Sequence, residues 1–273
     1  MQSVLVKLVA LFLATQAIGL VVGSSLIADI ESGQMEQPTV FTDNPEDPVN
    51  ALALIGGIIF FTLLLLLFMK FFKGAGLFRL FEFFVVFTAS IIVFSVFLPG
   101  LAFLFAFELV ALRLLLPENV SIRNLAAIIS VAGVGALIGI SLGVIPVLVF
   151  LILLSVYDFI AVFKTKHMVK LAKGISNKNL AFTVAIPTKE HQFELGTGDL
   201  VLPLVFVVSV MNASAAPYPF FIVPALMVLA ASLIGLLFTI GWVSRHIGKA
   251  LPALPPQAVL MIIAWLASKA IGF

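Results

Sequence analysis

Apolar residues in this chain come in long unbroken runs, and polar residues gather in the short breaks between them. Nine runs can be marked, roughly 3–27, 50–72, 78–97, 100–116, 123–143, 145–163, 198–214, 218–240 and 254–271. A helix needs about 20 mostly apolar residues to cross the hydrocarbon of a bilayer. Strands of a membrane β-barrel would alternate apolar and polar positions over about 10 residues. The run from Ile58 to Met69 is continuously apolar, as are the others, so the pattern predicts helices. The expected fold is an all-α polytopic membrane protein with nine transmembrane helices. It forms a single membrane domain over 1–273, with spans one to five in 1–143 and spans six to nine in 144–273. The first run is too long and too weakly flanked by basic residues to read as a cleaved leader.

The breaks carry their own signals. Leu98-Pro99-Gly100 and the stretch from Gly143 to Pro146 predict tight turns, so spans three and four, and five and six, should form hairpins. Gly135, Gly139 and Gly143 recur every fourth residue on the fifth span. Small residues at that spacing let helices approach closely in lipid, and packing is the expected role.

Composition agrees with a lipid solvent. Apolar residues make up 62% and charged residues 10%, and there are 27 Phe against 2 Tyr. A soluble domain carries about 25% charged residues. The formal net charge of +2 gives no case for nucleic acid. Cysteine is absent, which excludes disulfides, thiolate metal sites and cysteine nucleophiles. The charges that exist are sorted by side. Every Lys and Arg except Lys7 and Lys269 falls in the even-numbered loops, while the first loop holds Asp29, Glu31, Glu36, Asp43, Glu46 and Asp47. Basic loops face the cytoplasm. The amino terminus is therefore expected in the cytoplasm and the carboxyl terminus outside, in a multi-pass protein of the cell membrane.

A carboxylate inside a membrane costs at least about 2.5 kcal/mol on the mildest scale, so each one needs a reason. Glu82 follows Arg79 by one turn and is expected to pair with it. Glu108 can reach Arg113 or the interface. Asp158 has no cation on an adjacent turn, and Lys164, six residues on, puts it about 9 Å below the boundary. Asp199 opens span seven within Gly196-Thr197-Gly198-Asp199. Spans six and seven are antiparallel neighbours, so both aspartates lie toward the same side. Glycines beside them allow close backbone approach and unusual dihedral angles. Two carboxylates sharing a site cannot both ionise cheaply, so one holds a proton while the other accepts one. That suits acid–base hydrolysis, and it equally suits a proton- or cation-coupled transporter or leak channel.

Three motifs narrow the choice. Tyr157-Asp158, then Gly196-Thr197-Gly198-Asp199, then Pro252-Ala253-Leu254-Pro255, on spans six, seven and nine, resemble the YD, GxGD and PAL motifs of the presenilin and signal peptide peptidase family of intramembrane aspartyl proteases. Pro224-Ala225-Leu226 repeats the tripeptide inside span eight, where the family pattern has no place for it. Small size, short loops and missing cysteines are similar to a prokaryotic (archaeal) presenilin homologue. Thr197 departs from the leucine usual in presenilins. The loop of about 30 residues before the GxGD segment is shorter than in eukaryotic presenilins, which argues against an autocatalytic segment and against a need for accessory subunits.

The resemblance implies an endopeptidase in which Asp158 and Asp199 activate one water against a peptide bond within a transmembrane helix. Tyr157, Gly196, Thr197, Gly198, Pro252, Ala253 and Leu254 are then supporting residues, with the proline-bounded segment shaping the floor of the site. No cofactor or metal is implied. The expected partners are transmembrane-helix substrates and the bilayer, in a monomer or a homo-oligomer. Leu180 to Ile186 is rich in strand formers and reads equally as an edge strand for an unwound substrate or as a disordered or interfacial loop. His167, His191 and His246 all fall in cytoplasmic loops and no HExxH occurs, which speaks against serine and zinc proteases.

Overall fold

The computed structural model describes residues 2–71, 76–160, 163, 180–187, 192–214, 220–245 and 252–272. The three histidines and most of the basic loop between spans six and seven lie outside them. Among the described residues there are nine α-helices and one hairpin. They run α1 Gln2–Glu31, α2 Val49–Phe71, α3 Gly76–Phe97, α4 Ala102–Leu115, α5 Val120–Ser141, α6 Val144–Ile160, β1 Thr183–Pro187, β2 Gln192–Gly196, α7 Gly198–Asn212, α8 Val223–Arg245 and α9 Leu254–Ile271. Each helix coincides with one of the nine apolar runs. Five are long and apolar enough to cross a bilayer by themselves, and the apolar stretches of α2, α6 and α7 are shorter.

The shortness of α7 has a physical reason. It is the central helix, enclosed by α1, α5, α6, α8 and α9, and Pro203 through Met211 are all buried. Its sequence, Val-Leu-Pro-Leu-Val-Phe-Val-Val-Ser-Val, would favour a strand in water. Inside a membrane the backbone must satisfy its own hydrogen bonds, so the helix wins. Two side chains one turn apart lock it in place. Leu204 fills a notch between Gly19 on α1 and Gly135 on α5, and Val208 fills the next, between Gly23 and Gly139. A Cβ on Gly139 would stand 2.6 Å from Val208 Cβ and 3.0 Å from the Val205 carbonyl oxygen. Gly135 and Gly139 therefore work as packing, as the sequence implies, whereas Gly143 lies beyond the end of α5 and faces the Glu46 carboxylate.

The acidic loop caps the opposite end of the bundle. The Pro45 carbonyl accepts from the Gly143 amide at 2.8 Å, and the Glu46 carboxylate accepts from the Ile145 amide at the start of α6. Asn119, which matches a glycosylation sequon, is the N-cap of α5, its side chain accepting from the Ser121 and Ile122 amides. Capping explains why an Asn stands there.

One ion pair differs from expectation. Glu82 does not pair with Arg79. Its Oε1 accepts from Arg113 Nε on α4 at 2.8 Å, with both side chains 2% exposed. Glu108 is exposed instead. The local rule of neighbours one turn apart loses here because α3 and α4 are packed face to face, and a buried carboxylate takes the cation that is buried with it.

Candidate active site

Three chain segments converge at the end of the bundle where α6 finishes and α7 and α9 begin. Asp158 lies in the last turn of α6 and Asp199 in the first turn of α7, both half-buried. They are close enough for the charge of Asp158 to act on Asp199. The Leu254 backbone amide faces the Asp158 carboxylate closely enough to act on its charge. That donor follows from sequence. The first amides of a helix have no partner within it, and the next two residues of α9, Pro255 and Pro256, have no N–H at all. Leu254 supplies the free donor of that first turn, and the positive end of the helix dipole points the same way.

The GxGD segment has a division of labour. Gly196 ends β2, and a Cβ there would lie 3.8 Å from Asp199 Oδ2, so any longer side chain would crowd the carboxylate. Gly198 faces open space. Neither glycine has a positive φ, so close approach, not unusual dihedral angles, is their use. Thr197 donates both its hydroxyl, at 3.0 Å, and its amide, at 3.2 Å, to the Phe182 carbonyl. This closes the base of the hairpin directly before Asp199. Pro203, four residues on, has no N–H to give to the Asp199 carbonyl.

The hairpin is antiparallel, with Ala185 opposite Glu194 and Thr183 opposite Gly196. Three grips fix it to the helices. Glu82 accepts from the Ala181 amide at 2.8 Å. Asn124 on α5 accepts from the Ala185 amide at 2.8 Å and donates to its carbonyl at 2.7 Å. Arg123 Nη2 donates to Glu194 Oε1 at 3.3 Å. In an antiparallel ladder the main-chain groups of alternate residues point to opposite edges. Both main-chain groups of Ala185 go to Asn124, so β1 turns its outer edge to α5. The matching groups of Glu194 then point to the outer edge of β2. The stretch 180–186 does become a strand at Thr183–Pro187, with the outer edge of β1 held by Asn124 at Ala185.

Among the expected site residues, Asp158, Asp199, Gly196 and Leu254 come together. Pro252 is buried and Ala253 is the N-cap of α9. Tyr157 is 40% exposed and lies among the outward side chains Val156 and Phe159 of α6. Sequence reasoning missed Arg123, Asn124, Glu194 and Gln16, whose Nε2 donates to the Leu200 carbonyl at 2.9 Å, next to Asp199. A signal existed for Arg123. It shares the 3.6-residue stripe of Ala126, Ala127 and Ser130, the buried face of α5. Among the described residues no group of three or more His, Asp or Glu side chains is gathered to hold a metal ion.

A family model described as "Signal-peptide peptidase, presenilin aspartyl protease" matches residues 9–270. Two solved structures of a presenilin family intramembrane aspartate protease are similar to the whole chain. One, in a C222 crystal form, has a TM-score of 0.71 and 26% identity over 98% of this chain and 99% of that one. The other, in a P2 form, has a TM-score of 0.68 and 27% identity over 96% of each. A search of curated proteins gave no match.

Proposed function

This chain belongs to the signal-peptide peptidase and presenilin family of aspartyl proteases, and from that membership we propose that Asp158 and Asp199 are the pair with which it cuts peptide bonds inside the membrane. The chain is a multi-pass intramembrane aspartyl protease, and the family match favours hydrolysis over ion transport by the same carboxylates.

The proposed step uses one shared proton. The ionised aspartate takes a proton from water as the water oxygen attacks the peptide carbonyl carbon. The protonated aspartate hydrogen-bonds the carbonyl oxygen. When the C–N bond breaks, a proton passes to the leaving amine. The Leu254 amide orients Asp158 for this exchange, and Gly196 leaves room for Asp199 to meet it. The observation that carries the reading is that two carboxylates from different helices lie near enough for the charge of one to act on the other, at a site open beside Gly198.

A substrate helix hides its amides in its own hydrogen bonds and must unwind before water can reach them. We propose that the hairpin before Asp199 offers the unwound stretch replacement main-chain partners. The basic loops support a cytoplasmic amino terminus in the cell membrane, which places the dyad toward the cytoplasmic side. The chain is proposed to work without accessory subunits.

The test is incubation of the detergent-purified chain with a single-span peptide, with and without a transition-state mimic of aspartyl proteolysis. Cleavage blocked by the mimic, and lost in both Asp158→Asn and Asp199→Asn, is the expected result. Cleavage that survives either substitution would overturn the dyad.

A further inference from the structure

The pairing of Glu82 with Arg113 leaves a second cation over. Arg79 is exposed and has no hydrogen bond or ion pair among the described residues. It stands in the first turn of α3, and Arg113 stands in the last turn of α4, so the two lie at the same end of this packed pair of helices. The apolar span of α3 begins at Phe78, which puts Arg79 at the depth of the lipid headgroups. A small cleft opens here, lined by Arg79, Glu82, Phe83, Arg113, Leu114 and Pro117.

Two features of the cleft point to one class of ligand. Two guanidinium groups face it against one carboxylate, so a positive charge is left uncompensated. The rest of the lining is apolar and runs out onto the surface of the helices, where Leu114, Leu80 and Phe84 are exposed. We propose that the cleft between α3 and α4 binds the phosphate of an anionic membrane lipid, with Arg79 as its main ligand. A guanidinium fork matches two phosphate oxygens at once, and basic pockets between transmembrane helices suit anionic headgroups. A free phosphate ion would meet the same fork but gain nothing from Phe83 and Leu114, and this favours the lipid. The site also touches the support of the hairpin. Glu82 Oε1 accepts both from Arg113 Nε and from the Ala181 amide, each at 2.8 Å. The cleft exists only while α3 and α4 are packed through that ion pair. A bound headgroup therefore stabilises the packing by linkage, and with it the anchor of the segment that leads to Asp199.

The experiment uses the full chain in detergent micelles doped with phosphatidylglycerol or with phosphatidylcholine. Lipids kept on the intact chain are counted by native mass spectrometry, and thermal unfolding gives a second reading, so no proteolysis is needed. The wild-type chain should keep one phosphatidylglycerol in preference to phosphatidylcholine, and that lipid should raise its midpoint. Arg79→Gln should cut the preference about 5-fold, the order expected for one basic side chain at an anionic surface. Arg79→Lys keeps the charge without the fork and should fall between the two. Lys7→Gln removes another exposed cation, at the start of α1, and should leave the preference unchanged. Equal preference in the wild type and Arg79→Gln overturns the site. An equal loss in Lys7→Gln overturns it too, because the attraction is then diffuse. Inorganic phosphate at the same concentration should neither displace the lipid nor raise the midpoint. Either effect would make a free anion the ligand and overturn the lipid assignment.

Discussion

A single methyl group on Gly139 tests how α7 is held. The Cβ of alanine would stand 2.6 Å from Val208 Cβ, where carbons in contact prefer about 3.5–4.0 Å. The shortfall is about 1 Å. Val208 Cβ cannot swing away, since it is fixed to its own backbone, and the Val205 carbonyl oxygen lies 3.0 Å from the same methyl. Either α5 or α7 must shift. Overpacking of this kind costs about 1–3 kcal/mol, and the rigid neighbours put Gly139→Ala at the upper end. At Gly135 the methyl meets the Leu204 side chain, with Cδ2 at 2.7 Å and Cβ at 3.2 Å. That leucine can rotate, so Gly135→Ala should cost less. Gly56→Ala on α2 meets nothing within 4 Å and should stabilise by up to about 1 kcal/mol through helix propensity. Activity adds a second reading, because α7 carries Asp199 about 13 Å along the helix from Val208. A misplacement of about 1 Å in a catalytic group can cost about 100-fold in rate. Thermal unfolding in detergent, followed by Trp fluorescence, should rank the variants Gly56→Ala, wild type, Gly135→Ala, Gly139→Ala from most to least stable. Equal stability of Gly139→Ala and Gly56→Ala would refute the notch.

Further outcomes follow from the same structure. Arg113→Met should destabilise by about 3–5 kcal/mol, because it strands a buried carboxylate. Adding Glu82→Gln, which still accepts from the Ala181 amide, should recover most of that loss in the same unfolding assay. A dyad that works with one proton between two carboxylates gives kcat/KM an optimum, with activity falling on both its acid and its alkaline side. A profile flat across the whole range would contradict it. Gln257 is fully buried, and neither of its amide atoms has a hydrogen-bond partner among the described residues. Gln257→Met should therefore raise the thermal midpoint by removing a desolvation cost of about 1–3 kcal/mol. A fall would mean that bound water satisfies the amide.

Much of this architecture is legible in the sequence because lipid leaves the backbone few choices. The run 254–271 and α9 coincide, and the run 198–214 differs from α7 by two residues. Even the valine-rich α7 follows the rule. The family motifs locate Asp158, Asp199 and Leu254, and the structure sets the Leu254 amide beside Asp158. What resisted reading depends on contacts between distant segments. Nothing near Glu82 announces Arg113, 31 residues away, because the pair forms only when α3 packs on α4. The strand-forming stretch before the GxGD segment is visible, but what grips its outer edge, Asn124, lies 61 residues from Ala185. Tyr157 illustrates the opposite limit. It adjoins Asp158 in sequence, yet successive helical residues point about 100° apart, and its ring faces outward.

The convergence of α6 and α7 at the two aspartates can be measured directly, because the chain has no cysteine of its own. Asp158→Cys and Asp199→Cys introduced together should be joined rapidly by an oxidant or a short thiol cross-linker, and prior binding of a transition-state mimic should protect them. Two thiols that stay free under conditions where a pair placed elsewhere between α6 and α7 is joined would contradict a shared site.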